Sequence, residues 1–181
     1  MFLLETNRLL LRQMEQNDYS DVAEILQDEE VMYAYEGAFS DIEVQEWLTK
    51  QMIRYQQDGF GLWAVLLKET GDFIGQAGLT IQECDGEQVC EVGYLFKKKF
   101  WHKGYAAEAA IACKEYAFYH LGQKKVYSII RDSNIPSQNV AKRNGMKPIK
   151  RFTKHYKGVD MPHDAYVAEK PQPISSRFLA Y

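Results

Sequence analysis

Three apolar segments follow one another in the middle of this chain, and they restrict its fold more than any other feature. Residues 62–67 and 73–81 are rich in bulky apolar side chains, and the polar stretch 69–72 separates them. A third such segment, residues 89–96, follows a polar turn at Asp85-Gly86. Short polar turns between segments of this kind are typical of antiparallel hairpins. The pattern predicts a three-stranded antiparallel meander.

Helical patterns flank the meander on both sides. Ser40 and Glu43 have the spacing of a capping box, and the apolar stripe that follows predicts a helix ending near Gly59. After the third strand, small residues recur at helical spacing between Ala106 and Leu121. This stripe predicts a second long helix, which a glycine ends at position 122.

The remaining pattern completes a single domain with an α+β fold. Strands are predicted at 8–12, 126–131, 149–156 and 164–169, and helices between 17 and 26 and between Pro136 and Gly145. A chain of 181 residues is long enough for one domain. We assign residues 1–170 to this domain, a mixed sheet with helices packed on it, and residues 171–181 to a C-terminal tail.

Charge and composition exclude several classes of partner. The chain has 22 Lys and Arg against 25 Asp and Glu, so a nucleic acid is not expected as the main partner. No apolar run approaches the roughly 20 residues of a membrane span. Three cysteines without a C-x-x-C pair, and histidines without i, i+4 pairing, give no sign of a metal site. These features predict a cytoplasmic protein with no membrane partner and no metal.

The segment Trp101–Glu108 has the composition of an anion-binding helix start. Gly104 lets a backbone approach a ligand closely, and Ala106 keeps the first helical turn small. Unpaired amides and the positive end of the helix dipole favour phosphate there. The segment is neither a G-x-G-x-x-G fingerprint nor a P-loop. Taken alone, Gly104 serves either a phosphate site or an ordinary turn.

Five segments in order resemble the GNAT superfamily of N-acetyltransferases, and most closely the branch that acetylates the N-termini of ribosomal proteins. The resemblance covers about residues 4 to 169. The segments are Glu5–Arg12, Thr70–Gly75, Glu91–Phe96, His102–Ala109, and Asn134–Ser137 with Arg143–Met146.

The resemblance implies a cofactor and its place. The family fold is a mostly antiparallel sheet with helices on both faces. Acetyl-CoA lies at the centre of this sheet, where two parallel strands splay apart. In this chain the two strands would be 89–96 and 126–131. The backbone of Tyr94, Leu95 and Phe96 would pair with the pantetheine arm, and Asn134 would bind the pantetheine or the thiol end. The pyrophosphate would lie on the amides of His102, Lys103, Gly104, Tyr105, Ala106 and Ala107.

The resemblance also implies direct acetyl transfer to a primary amine, either a protein N-terminus or a small-molecule amine. Glu91 is our candidate base, and Ser137 is the candidate to contact or protonate the leaving sulfur. Each has a structural alternative: Glu91 as a solvated strand residue, and Ser137 or Asn134 as residues that cap a helix or turn. Trp101 replaces the family's usual Gln or Arg. Ala141 stands where many members have a tyrosine that acts as the general acid. A catalytically degenerate acyl-CoA-binding regulatory module is therefore the alternative function.

Three further expectations concern the surroundings of this site. Tyr33, Tyr35 and Phe39 form either a lid over the acceptor or ordinary packing. The run Lys97–Lys99 is expected to be a solvated turn, with attraction of the cofactor's phosphates as the alternative. The tail allows a homodimer by lying over a partner subunit.

Overall fold

The computed structural model of the chain describes residues 3–35, 37–156 and 158–172. This part of the chain contains eight strands and five α-helices. The strands are β1 (Leu4–Glu5), β2 (Leu9–Arg12), β3 (Leu62–Leu67), β4 (Phe73–Cys84), β5 (Glu87–Phe96), β6 (Lys125–Arg131), β7 (Lys147–Tyr156) and β8 (Val159–Glu169). The helices are α1 (Tyr19–Leu26), α2 (Glu29–Met32), α3 (Asp41–Gln57), α4 (Tyr105–Tyr119) and α5 (Ile135–Arg143). Most of the predicted tail, residues 173–181, lies outside the described residues, so the predicted homodimer stays a prediction.

The strands form one sheet in the order β1-β2-β3-β4-β5-β6-β8-β7. All neighbouring strands are antiparallel except β5 and β6, which run parallel and pair in register only at Glu91 and Tyr127. The sheet is therefore mixed, mostly antiparallel and splayed at its centre. This confirms the predicted fold class.

The main predicted elements are confirmed, and the differences have local causes. Ser40 and Glu43 form the predicted capping box at the start of α3. Strand β1 was not predicted, because two residues are too short for an apolar alternation to be seen. The β7–β8 hairpin also extends further than its pattern suggested, since backbone pairing continues where the side chains are mostly polar.

Helices pack on both faces of the sheet, as predicted. On one face α4 buries Ala109, Cys113 and Ala117 completely, and their small side chains let the helix approach β4, β5 and β6 closely. On the other face α1 and α3 bury Ile25 and Leu48 in a second apolar cluster. The splayed centre of the sheet therefore lies between two helical layers.

The lysine run after β5 is only in part the solvated turn that the sequence predicted, because Lys98 and Lys99 are exposed but Lys97 is buried. The Lys97 side chain is only 5% exposed, and its ammonium lies 2.6 Å from the Asp21 carboxylate on α1 and also bonds Glu24. Lys98 and Lys99 also form ion pairs with carboxylates of α1 and α2. A buried ammonium requires such partners, because its loss of hydration is otherwise very costly. The run ties the end of β5 to the helical layer.

The described part of the chain contains no helix that is both long and apolar enough to cross a membrane. Its side chains also bring together no group of three or more histidines, cysteines or acids that would suit a metal ion. All three cysteines are free and buried.

Candidate active site

A cavity of about 660 Å³ opens where β5 and β6 splay apart. Its lining includes five of the residues that the sequence predicted for the site: Glu91, Tyr94, Leu95, Asn134 and Ser137. Phe96 is instead buried in the core, and the predicted segment from His102 to Ala107 lies outside the cavity lining. The predicted residues thus fall into two groups. The cavity group is Glu91, Tyr94, Leu95, Asn134 and Ser137, and the loop group is residues 102–107.

The edge of β5 that faces β6 lacks a regular ladder beyond Glu91. Its other edge pairs fully with β4, where Leu95 lies opposite Gln76. Toward β6, a side-chain bridge replaces the ladder: the Ser128 hydroxyl donates to the Val92 carbonyl at 3.1 Å. Backbone groups on such an edge can pair with an extended ligand that contains amides, as an added strand would. The Phe96 carbonyl is already engaged, because the Trp101 indole donates to it at 2.8 Å.

Glu91 spans the point where the two strands separate. Its carboxylate accepts a hydrogen bond from the Ile129 amide of β6 at 2.9 Å, and the side chain is half-buried in the cavity wall. Burial raises the pKa of Glu91, and the Ile129 hydrogen bond together with the charges of Lys154 and Arg54 opposes this rise. A carboxyl group with a raised pKa in a cleft is well suited to accept a proton near neutral pH.

The start of α5 supplies the other polar groups of the cavity. Asn134 is the N-cap, and its side-chain oxygen accepts from the Ser137 amide at 3.2 Å, so the capping role that the sequence left open does occur. The Ser137 carbonyl accepts from the Tyr94 hydroxyl at 3.1 Å. Ala141 is 1% exposed within the core, so its position supplies no acid.

The loop before α4 has the backbone geometry of an anion site. His102 and Gly104 both have left-handed φ angles, 61° and 81°, and Gly104 is the N-cap of the helix. The bond from the Glu108 amide to the Gly104 carbonyl closes the first helical turn at 3.1 Å. The amides of Tyr105, Ala106 and Ala107 precede it and have no acceptor within the helix. They point out of the positive end of the helix dipole.

A network between the β1–β2 turn and α4, which the sequence did not reveal, supports this loop. The Arg8 guanidinium bonds the Glu108 carboxylate at 2.7 Å and the Lys103 carbonyl at 3.0 Å, and it lies 4.4 Å from the centroid of the Tyr105 ring. The Thr6 hydroxyl also donates to Glu108, at 2.6 Å. Arg8 and Glu108 are 100 positions apart, so helical or strand spacing gave no signal for their pairing.

The predicted aromatic cluster is real, but its members differ from those expected. Tyr35, Phe39 and Trp47 pack edge to face, with Tyr35 and Phe39 each about 6 Å from the Trp47 ring. Tyr35 and Trp47 also line the cavity, while the Tyr33 side chain is exposed. The cluster is therefore both packing and cavity wall, and its action as a lid stays a prediction.

The sheet, the splayed strand pair and the helix start have a counterpart among known proteins. Residues 8–147 match the family model described as acetyltransferase (GNAT) domain. The chain belongs to the GNAT acetyltransferase family. A curated relative, the N-acetyltransferase YnaD of Bacillus subtilis, is 32% identical over 145 residues, which are 80% of this chain and 82% of the relative.

Solved GNAT structures have the same fold. The acetyltransferase (GNAT family) from Bacillus anthracis is 27% identical with a TM-score of 0.79, over 93% of this chain and 98% of that one. RimL, a ribosomal L7/L12 alpha-N-protein acetyltransferase solved with coenzyme A, has a TM-score of 0.77 over 93% and 98% of the chains. Its 13% identity supports likeness of fold alone. The predicted family is confirmed. This GNAT chain is an N-acetyltransferase, as the family model and the names of its relatives indicate.

Proposed function

We propose that this GNAT chain transfers an acetyl group from acetyl-CoA directly to a primary amine, either a protein N-terminus or a small-molecule amine. The observation that carries the proposal is the position of Glu91, a half-buried carboxylate at the point where β5 and β6 separate. It places a proton acceptor beside an unpaired strand edge and an open cavity.

The residues of both groups fit acetyl-CoA, which supplies the reactive thioester. The free edge at Tyr94 and Leu95 would pair with the amides of the pantetheine arm, with Asn134 near its thiol end. Phe96, which the sequence also predicted for this contact, is buried and its carbonyl accepts from Trp101 instead. The diphosphate would lie on the loop and helix start formed by His102, Lys103, Gly104, Tyr105, Ala106 and Ala107. A Cβ added at Gly104 would meet only the Arg8 guanidinium, at 3.5 Å, so the glycine leaves its loop open to a ligand.

Glu91 would take the proton that the acceptor amine must lose, because only a neutral amine attacks a thioester. An α-amino group has an ordinary pKa of about 8 and is mostly protonated at neutral pH. Backbone amides near Leu95 would donate to the carbonyl oxygen as negative charge develops on it. The Ser137 hydroxyl would either donate a hydrogen bond to the departing thiolate or pass it a proton that solvent returns to the serine, a role that Ala141 cannot fill.

Acetyl-CoA should raise the melting temperature of the chain, because both groups of site residues belong to preformed elements. A ligand at 100 times its dissociation constant adds about 2.7 kcal/mol to the free energy of unfolding. Differential scanning fluorimetry with increasing acetyl-CoA measures the shift, with acetyl phosphate as a control that lacks pantetheine and adenosine. No shift at millimolar acetyl-CoA would contradict the proposed site.

Turnover separates the enzyme from the alternative of a catalytically degenerate acyl-CoA-binding module. Both would bind acetyl-CoA, but only the enzyme releases free CoA when an amine panel is added. A thiol reagent can measure this release directly, since burial raises the pKa of Cys84, Cys90 and Cys113 and slows their own reaction.

Removing Arg8 should weaken acetyl-CoA binding specifically. Without it, Glu108 would keep the hydrogen bond from Thr6 but lose the charge of its cationic partner, so its negative charge in the first turn of α4 would repel the diphosphate. We expect Arg8→Ala to raise the KM for acetyl-CoA roughly tenfold, the equivalent of about 1.4 kcal/mol. The double variant Arg8→Ala/Glu108→Gln should recover part of this loss.

Arg151→Ala is the matched control, since it removes an arginine from an ion pair with Asp164 on the distant hairpin. Steady-state kinetics should show no change in the KM for acetyl-CoA in this variant. An equal change in both arginine variants would count against a role of Arg8 at the loop.

A further inference from the structure

The cavity continues beyond Glu91 toward basic side chains on three elements. Lys50 and Arg54 line it from α3, Arg131 from the end of β6, and Lys154 from β7. None of them belongs to the residues assigned above to acetyl-CoA or to proton transfer. We call these four side chains the basic wall of the cavity; they line the same cavity as Glu91.

Electrostatic effects show that these cations are close to the reacting position. The charges of Arg54 and Lys154 both reach Glu91 and lower its pKa, against the dominant effect of burial. Burial also lowers the pKa of His163, and the nearby charges of Lys154 and Arg131 lower it further. Glu91 therefore shares the cavity with a cation on α3 and a cation on β7, and the charges of both act on it.

Two acids of the cavity wall, Asp85 and Glu83, have other partners, and Asp132 lies outside the lining. Asp85 forms an ion pair with Lys150, and Glu83 accepts a hydrogen bond from the Gly86 amide. Asp132 acts on His163 from the end of β6.

Neither Arg54 nor Lys154 forms an ion pair with any carboxylate that the structure describes. Arg54 is half-buried and donates at 3.2 Å to Gln51, a neutral side chain. The carboxylates of Asp58 and Glu91 act on Arg54 through their charge, without forming an ion pair with it. A partly desolvated guanidinium that has no ion-pair partner is suited to bind the carboxylate of a ligand.

We propose that Arg54 and Lys154 form an anion subsite in the acceptor cavity, so that the preferred acceptors are primary amines that also carry a carboxylate. The proposal rests on the proposed function and specifies its acceptor. The carboxylate would bind between the two cations and bring the amine of the same molecule to Glu91. Polyamines would be poor acceptors, because the same cations repel additional ammonium groups.

Matched acceptor pairs test the subsite through the ratio of kcat/KM for the acid to kcat/KM for its neutral counterpart. One pair is alanine and alaninamide; the other is Ala-Asp-Ala-amide and Ala-Asn-Ala-amide, and spermidine is the polycationic probe. We expect the native chain to favour the acid of at least one pair roughly tenfold or more, mainly through KM. The pair with the larger ratio shows whether a free amino acid or an acidic peptide N-terminus is the source of the carboxylate.

Arg54→Gln and Lys154→Gln should each lower this ratio several-fold, and the double variant should bring it close to one. Lys147→Gln is the control, since it removes an exposed charge of the same strand β7 away from the cavity. Retained stabilisation by acetyl-CoA shows that each variant still folds and binds.

Turnover with equal preference for acid and amide, or a ratio unchanged in both glutamine variants, would overturn the subsite and leave the acetyltransferase intact. Faster turnover of spermidine than of either acid would also overturn the subsite. Failure to acetylate any amine of the panel would overturn the proposed function, and the subsite with it.

Discussion

Glu91→Gln should lower kcat/KM by about 10²–10⁴-fold at neutral pH, the usual contribution of a positioned general base. Glutamine retains an oxygen that can accept from the Ile129 amide, so the bridge between β5 and β6 is preserved while the proton acceptor is lost. The deficit should shrink as the pH rises past the pKa of the acceptor amine, because the acceptor then arrives neutral. Rates measured from about pH 6 to 9.5 test this.

Stability provides the control for a structural role of Glu91. Because burial raises its pKa in the folded state, the carboxyl group contributes stability below its unfolded pKa, and this contribution is lost as the pH rises through the folded pKa. The variant should therefore be at least as stable as the native chain at neutral pH. Glu87→Gln, an exposed change on the same strand, should leave kcat/KM unaltered. A loss of kcat/KM in Glu91→Gln that stays constant across the pH range would exclude Glu91 as the general base.

Gly104→Val should abolish most of the affinity for acetyl-CoA. Valine would place a branched side chain on the loop where the backbone is proposed to contact the diphosphate, and it would strain a residue with φ near 81°. Strain alone also destabilises the fold, so the comparison must separate the two effects. Calorimetric titration with acetyl-CoA measures the affinity, and thermal unfolding measures the stability.

Gly122→Val is the matched control for this change. Gly122 follows the other end of α4 with a φ of 69°, and a Cβ there would contact nothing within 4 Å. Both valines should therefore cost a similar amount of stability, about 1–2 kcal/mol. Only Gly104→Val should lose affinity. Equal affinities in the two variants would mean that the loop before α4 is not the phosphate site.

The fold was largely predictable because its strongest signals are local. The capping box at Ser40, the meander and the alanine-rich stripe of α4 each depend on residues a few positions apart. Glu91 was proposed for the cleft from the family resemblance, and the structure places it in the cavity wall.

Interactions between distant segments were not predictable from spacing. Lys97 looked solvated within a run of three lysines, because nothing local shows that α1 brings Asp21 and Glu24 over it. The pairing of Arg8 with Glu108 likewise depends on how the first strands meet α4. The basic wall of the cavity combines residues from α3, β6 and β7, which only the folded chain brings together.

The packing of α4 has a consequence for how the chain unfolds. The sheet is nearly divided at its centre, since β5 and β6 share one registered pair, but α4 packs on β4, β5 and β6 together. One helix thus braces the strands on both sides of the division. A ligand bound at the N-terminus of α4 would stabilise a helix that contacts both halves of the sheet. We therefore expect the two halves to unfold cooperatively rather than one after the other.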